Sequence, residues 1–195
     1  MKLSTKELIL VSLFAALTAI SAMFSIPIGP VPVTLQTFMV ILSGIVLGSR
    51  LGLMSQLIYL LLGLIGLPVF SGGAGGLGTV LTPSFGFLIG FPIAAYVIGK
   101  IIEKYNSKVT IILAVIIGSI IPYITGIPYF YLIFTNYLGK SITLYKTLSL
   151  TMIPFIPGDC IKAFVAITCG SAIIKYNFGL AVSKKTVSPF NKSNS

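Results

Sequence analysis

Three acidic residues occur in the chain, Glu7, Glu103 and Asp159. Glu7 and Glu103 stand beside Lys6 and Lys104 at the ends of apolar runs. Asp159 has no such cluster. It borders an apolar segment, follows Pro157-Gly158, and is followed three residues on by Lys162. If a helix starts here after a chain reversal, Asp159 sits near its N-cap and Lys162 shares its face. An ionisable side chain inside a membrane segment costs about 2.5–3.5 kcal/mol on insertion scales, so it marks function by default. Lys162 suits a ligand carboxylate, and Asp159 suits ligand N–H donors. The helix N-terminus adds positive partial charge for an anion. The pair therefore asks for a small solute with both an acid and hydrogen-bond donors. The bland alternative is a structural ion pair, with Asp159 capping the helix and Lys162 snorkelling outward.

Further candidates are uncharged. Gln36 follows a Pro-rich stretch, Pro27-Ile28-Gly29-Pro30-Val31-Pro32, and can reach a ligand from there. The segment Gly72–Gly78 holds five glycines in seven residues. Such backbone brings N–H groups close to a ligand, and Gly73, Ala74 and Gly75 are the expected contacts. At membrane depth, irregular backbone is tolerated only where it is buried in protein or lines a cavity; the alternative is a flexible external linker. Gln56 lies deeper and reads as interhelical glue. Tyr129, Phe130, Tyr131 and Phe134 read mostly as interfacial anchors.

Other chemistries find few residues. The chain has no histidine and two cysteines, Cys160 and Cys169. On one helix these are separated by a rise of roughly 13 Å, too far for a disulfide, and they read as buried free thiols. No zinc arrangement exists. Gly139-Lys140-Ser141 imitates the end of a phosphate-binding loop, but the position five residues before Gly139 is Phe134, not glycine. The chain does not energise anything by its own ATP hydrolysis. With one plausible membrane acid and no histidine, general acid–base catalysis has little to work with. No cofactor and no enzymatic activity are expected.

The elements that must position these residues are membrane helices. Hydrophobic residues make up 56% of the 195 and charged ones 8%, against about 25% charged in soluble domains. Apolar runs recur near the roughly 20 residues that cross the hydrocarbon layer. The reading is an all-α integral membrane protein with six transmembrane helices: 8–26, 34–47, 51–67, 85–102, 109–134 and 159–176. The second stops at Gly48-Ser49-Arg50, and Pro122 and Pro128 should kink or break the fifth. The loop 135–146 is amphipathic and reads as a surface segment. Residues 1–182 form one membrane domain, and 183–195 a polar tail.

The net charge of +10 sits in short clusters between apolar runs, which fits membrane topology rather than nucleic acid. With six helices, one side holds Lys2, Lys6, Arg50, Lys100, Lys104, Lys108, Lys175, Lys184, Lys185 and Lys192. The other holds Lys140, Lys146 and Lys162. Ten against three places both termini in the cytoplasm. The Pro-rich loop, the Gly-rich loop and the start of helix six then converge outside, where a solute arrives. Helix one carries small residues, Ser12, Ala15, Ala16, Ala19 and Ala22, with Ala15 and Ala19 four apart. Such a stripe serves either docking onto a partner helix or packing within the bundle.

Three segments resemble a known family. Pro30-Val31-Pro32-Val33-Thr34-Leu35-Gln36-Thr37, then Gly63-Leu64-Ile65-Gly66-Leu67-Pro68-Val69-Phe70 with the glycine loop, then Pro157-Gly158-Asp159-Cys160-Ile161-Lys162-Ala163 look like BioY proteins. These are the biotin-specific substrate-binding (S) components of energy-coupling-factor (ECF) transporters. The resemblance covers about residues 5–178. It implies a six-helix bundle in the bacterial cell membrane that binds biotin near its outer face. It also implies partnership with a transmembrane coupling protein and two cytoplasmic ATPases. The family's Asp and Lys match Asp159 and Lys162, and its small residues facing the coupling protein match Ala15 and Ala19. A self-sufficient secondary transporter of a small carboxylate is the competing reading.

Overall fold

The structure is a computed structural model, and it describes residues 3–105 and 107–175. Lys2, Asn106, Tyr176 and the tail 183–195 with Lys184, Lys185 and Lys192 lie outside the described residues. The chain is helical: α1 (Thr5–Met23), α2 (Gln36–Leu64), α3 (Phe85–Lys104), α4 (Lys108–Leu132), α5 (Leu144–Thr151) and α6 (Ile156–Lys175). Five of the described helices are long and apolar enough to cross a membrane, all but α5. Large apolar side chains point outward, among them Ile116, Ile120 and Ile124 of α4 and Ile161 and Phe164 of α6. Thr18, Ser43, Ser55 and Gln56 are buried inside. This inverted distribution is what a lipid solvent selects, since apolar side chains lose nothing there while polar groups need partners.

α2 is not a straight rod. Gly48 has φ 79 and ψ −178, a conformation other residues avoid, and the chain turns back there. In an unbroken helix Gln36 and Tyr59 would stand roughly 35 Å apart, yet Gln36 Nε2 donates to the Tyr59 hydroxyl at 2.5 Å. Arms 36–47 and 49–64 thus lie antiparallel. Glu103 of α3 closes the reversal, accepting from the Ser49 backbone N–H at 2.7 Å and the Ser49 hydroxyl at 2.8 Å. Gly99 lets α3 approach: a Cβ there would fall 2.2 Å from Ser49 N. The sequence reading of two segments divided at Gly48-Ser49-Arg50 matches these arms.

α1 and the second arm meet through Gln56, whose Nε2 donates to Thr18 at 3.1 Å and to Ser43 of the first arm at 3.3 Å. That is the interhelical role expected of it. α3 and α4 run antiparallel, Gly86 against Tyr129 and Gly90 against Pro122. α6 runs beside the first arm, with Gly170 against Ile45.

Several local expectations are corrected. α1 ends at Met23, and Ser25–Ile26 pairs antiparallel with Val33–Thr34, so the Pro-rich loop is a short β-hairpin, β1–β2. α4 stays helical through Pro122 and Pro128, and the irregularity comes later, as a wide turn at Ile133–Tyr137. Within the 135–146 loop α5 begins at Leu144. Phe130 is fully buried rather than interfacial, stacked on Phe134 at 5.2 Å. Cys160 and Cys169 are free but exposed on the lipid-facing side of α6, not buried.

Candidate functional site

The ends of the bundle opposite Gly48 enclose a cavity of about 360 Å³. Its wall draws on the hairpin (Val31, Thr34), the start of α2 (Gln36, Thr37), the 65–84 loop (Phe70, Ser71, Ala74), α3 (Phe87, Phe91), α4 (Ser119, Tyr123) and α6 (Asp159, Lys162). The size falls within the usual range for small-molecule sites, and an apolar lining with a few placed polar groups is their usual chemistry.

Asp159 and Lys162 are the charged residues of this wall. α6 begins at Ile156, so Pro157 and Gly158 belong to its first turn instead of preceding it. The Asp159 N–H already bonds the Phe155 carbonyl at 2.8 Å. Asp159 is thus one turn into the helix, not its cap as expected, and the chain reversal lies upstream at residues 152–155. Lys162 Nζ stands 2.5 Å from Asp159 Oδ1, and Lys162 is 8% exposed. It also donates to the Thr34 carbonyl at 3.0 Å and the Thr37 hydroxyl at 2.7 Å. An ammonium has three donors, and all three are engaged. The Thr37 hydroxyl in turn donates to Asp159 Oδ1 at 3.3 Å, and Tyr123 donates to Asp159 Oδ2. Neither charge is left uncompensated, as a low-dielectric site requires. Lys162 points inward, so the snorkelling alternative does not describe it.

Gln36 lines the cavity, but its amide is occupied. Thr34 donates to Gln36 Oε1 at 2.8 Å, Gln36 Nε2 donates to Tyr59, and Tyr59 donates to the Val69 carbonyl at 3.2 Å. This chain ties the hairpin, both arms of α2 and the loop together. The glycine-rich loop is a packed wall, not a loose linker. Phe70 lies over Gly63, where a Cβ would stand 2.0 Å from its ring, and meets Tyr59 and Phe85 edge-on. The Phe70 N–H donates to the Ala74 carbonyl at 3.0 Å, Gly76 N–H to Gly63 at 2.7 Å, and Tyr129 to the Val80 carbonyl. Of the three loop residues singled out, Ala74 lines the cavity. Gly75 packs against the Leu67 carbonyl, and Gly73 (φ 73) makes the turn outside the lining.

The sequence reading missed Thr37, Ser119, Tyr123 and the aromatic wall of Phe70, Phe87 and Phe91. Tyr123 carried a signal: it is a phenol in mid-helix, away from either membrane interface, where a hydroxyl needs a partner.

Ala15 is corrected as an outward-facing contact. It is 2% exposed, packed among Val40, Tyr59 and Ala95, because the face it occupies turns into the bundle. Ala19 is half-buried at the edge of that cluster, while Ser12 and Ala16 face outward.

Comparisons with known proteins bear on the family and the fold. The family model described as "BioY family" matches residues 1–177. A "Probable biotin transporter BioY" of Lysinibacillus sphaericus is 49% identical over 140 residues, 71% of each chain. One of Pyrococcus horikoshii is 41% identical over 165 residues, 85% of this chain and 94% of its own. The "Biotin transporter BioY" of Thermotoga maritima is 39% identical over 161 residues, 83% and 91%. Among solved structures, the 2.1 Å crystal structure of "the S-component for biotin from an ECF-type ABC transporter" superposes with a TM-score of 0.76 at 30% identity, covering 89% of this chain and 95% of that one. With its sequence matched along nearly its whole length and its helices superposing on a solved relative, the chain belongs to the BioY family.

Proposed function

We propose that this protein is the biotin-binding membrane subunit of an ECF-type vitamin importer, a transport protein and not an enzyme, which captures biotin at the outer face of a bacterial cell membrane. One observation carries the reading: Asp159 and Lys162 meet in the wall of a mostly apolar cavity. Biotin offers a carboxylate, a ureido group with two N–H donors and an apolar bicycle. Lys162, held by Asp159, is complementary to the acid, and the Phe70–Phe87–Phe91 wall to the bicycle. Ala74 and Gln36 complete the wall, with Gly73 and Gly75 shaping the loop behind it.

The two arms of α2 count as separate passes, giving six with both termini cytoplasmic, in keeping with the basic asymmetry. The cavity then opens outward. The importer reading takes its energy from partners: a transmembrane coupling protein carrying two cytoplasmic ATPases. Their docking surface is the outward face of α1, where Ser12 and Ala16 allow close helix approach and Ala19 stands at the edge. Leucine at both Ser12 and Ala16 is expected to leave biotin binding intact and abolish uptake.

The direct test is equilibrium titration of the purified chain in detergent with biotin. Saturable, reversible binding supports the proposal. Folded protein that binds no biotin would sink it. Uptake by cells lacking the ATPases would instead favour the self-sufficient transporter.

A further inference from the structure

Most of the hydroxyls that line the cavity are committed. Thr34 donates to Gln36, Thr37 and Tyr123 to Asp159, Thr79 to the Gly76 carbonyl and Thr82 to the Thr79 carbonyl. Ser119 differs. Its Oγ is buried, yet it has no hydrogen-bond partner among the described residues. A buried hydroxyl without a partner carries a desolvation cost, and helical serines usually relieve it by bonding the carbonyl four residues back. Here Val115 would supply that carbonyl, and the bond is not made. Ser119 lies on α4 one turn, roughly 6 Å of rise, inward of Tyr123. It lines the cavity together with Phe91 of α3. A rotation about χ1 carries its hydroxyl between the helix wall and the cavity.

We infer that Ser119 is a ligand-contacting, specificity-determining residue, whose hydroxyl hydrogen-bonds the uncharged polar group at the inner end of the ligand. This rests on the importer reading and deepens it. The ion pair, one turn further out, is the place for the ligand's charge. A neutral hydroxyl against an aromatic wall is matched to a carbonyl, which for biotin is the ureido oxygen. The ligand therefore enters ring first.

The test is a cycle of two proteins and two ligands. Wild-type and Ser119→Ala are purified in detergent, their melting temperatures compared, and each is titrated with biotin and with the analogue whose ureido oxygen is replaced by sulfur, a weak acceptor. Ser119→Ala should weaken biotin binding about ten-fold, the scale of one lost buried hydrogen bond. The penalty for oxygen-to-sulfur replacement should shrink in the variant, and Ser119→Thr should restore most of the affinity. If wild-type binds biotin and Ser119→Ala binds it equally, or loses both ligands in the same ratio, the hydroxyl is a wall group and the inference is wrong, while the importer reading stands. If folded wild-type binds neither ligand, both fall together.

Discussion

At the scale of single residues, the site is closed upon itself. The three N–H groups of Lys162 and both oxygens of Asp159 have partners within the protein. A ligand acid must therefore exchange with a bond already present. Lys162→Met keeps the stem and removes the charge, and is expected to cost about 2–4 kcal/mol of biotin affinity, as for a lost charge-assisted contact. A neutral biotin amide should lose less. Asp159→Asn should also weaken binding, because it leaves Lys162 under-compensated. Titration and thermal unfolding on the same preparations check both, and normal affinity in folded Lys162→Met protein would remove that residue from the site. Asp159 and Lys162 were legible because a charged pair in an apolar run has few explanations. Thr37 was not, since a hydroxyl in a helix declares nothing about which neighbour it faces until the neighbour is placed, and Tyr123 signalled only that its phenol needed a partner.

At the scale of elements, the reversal at Gly48 decides the architecture. With φ 79 and ψ −178, Gly48→Ala should cost about 1–3 kcal/mol, the usual penalty for such backbone. Gly99→Ala should also destabilise, since its Cβ would meet the Ser49 backbone. Gly78→Ala, with open space around it, is the control. Melting temperatures in detergent decide: equal values for Gly48→Ala and the control would show that the turn has other ways to form. The helical segments were readable from apolar length, and the break from Gly48-Ser49-Arg50. The face of α1 was not, because Ala15 and Ala16 are adjacent and periodicity alone does not say which one turns inward. Ala15→Leu is therefore expected to overfill the core and lower the melting temperature, unlike Ala16→Leu.

At the scale of the whole molecule, the charge distribution sets the orientation. A single cysteine at Lys104, in a background without Cys160 and Cys169, should react with impermeant maleimide only in inverted vesicles or permeabilised cells. Reaction in intact cells would overturn the topology and the outward opening of the cavity. The composition showed a membrane protein at once, but how residues 122 positions apart come to meet, as where Thr37 donates to the Asp159 carboxylate, lay beyond any sequence period. The folded-back α2 also constrains biosynthesis. Arms of 12 and 16 residues rise about 18 and 24 Å, short of the roughly 30 Å hydrocarbon thickness, so neither is a good independent passenger of the insertion machinery. They must partition into lipid as one helical hairpin, and the Glu103 clamp on Ser49 is synthesised only with α3.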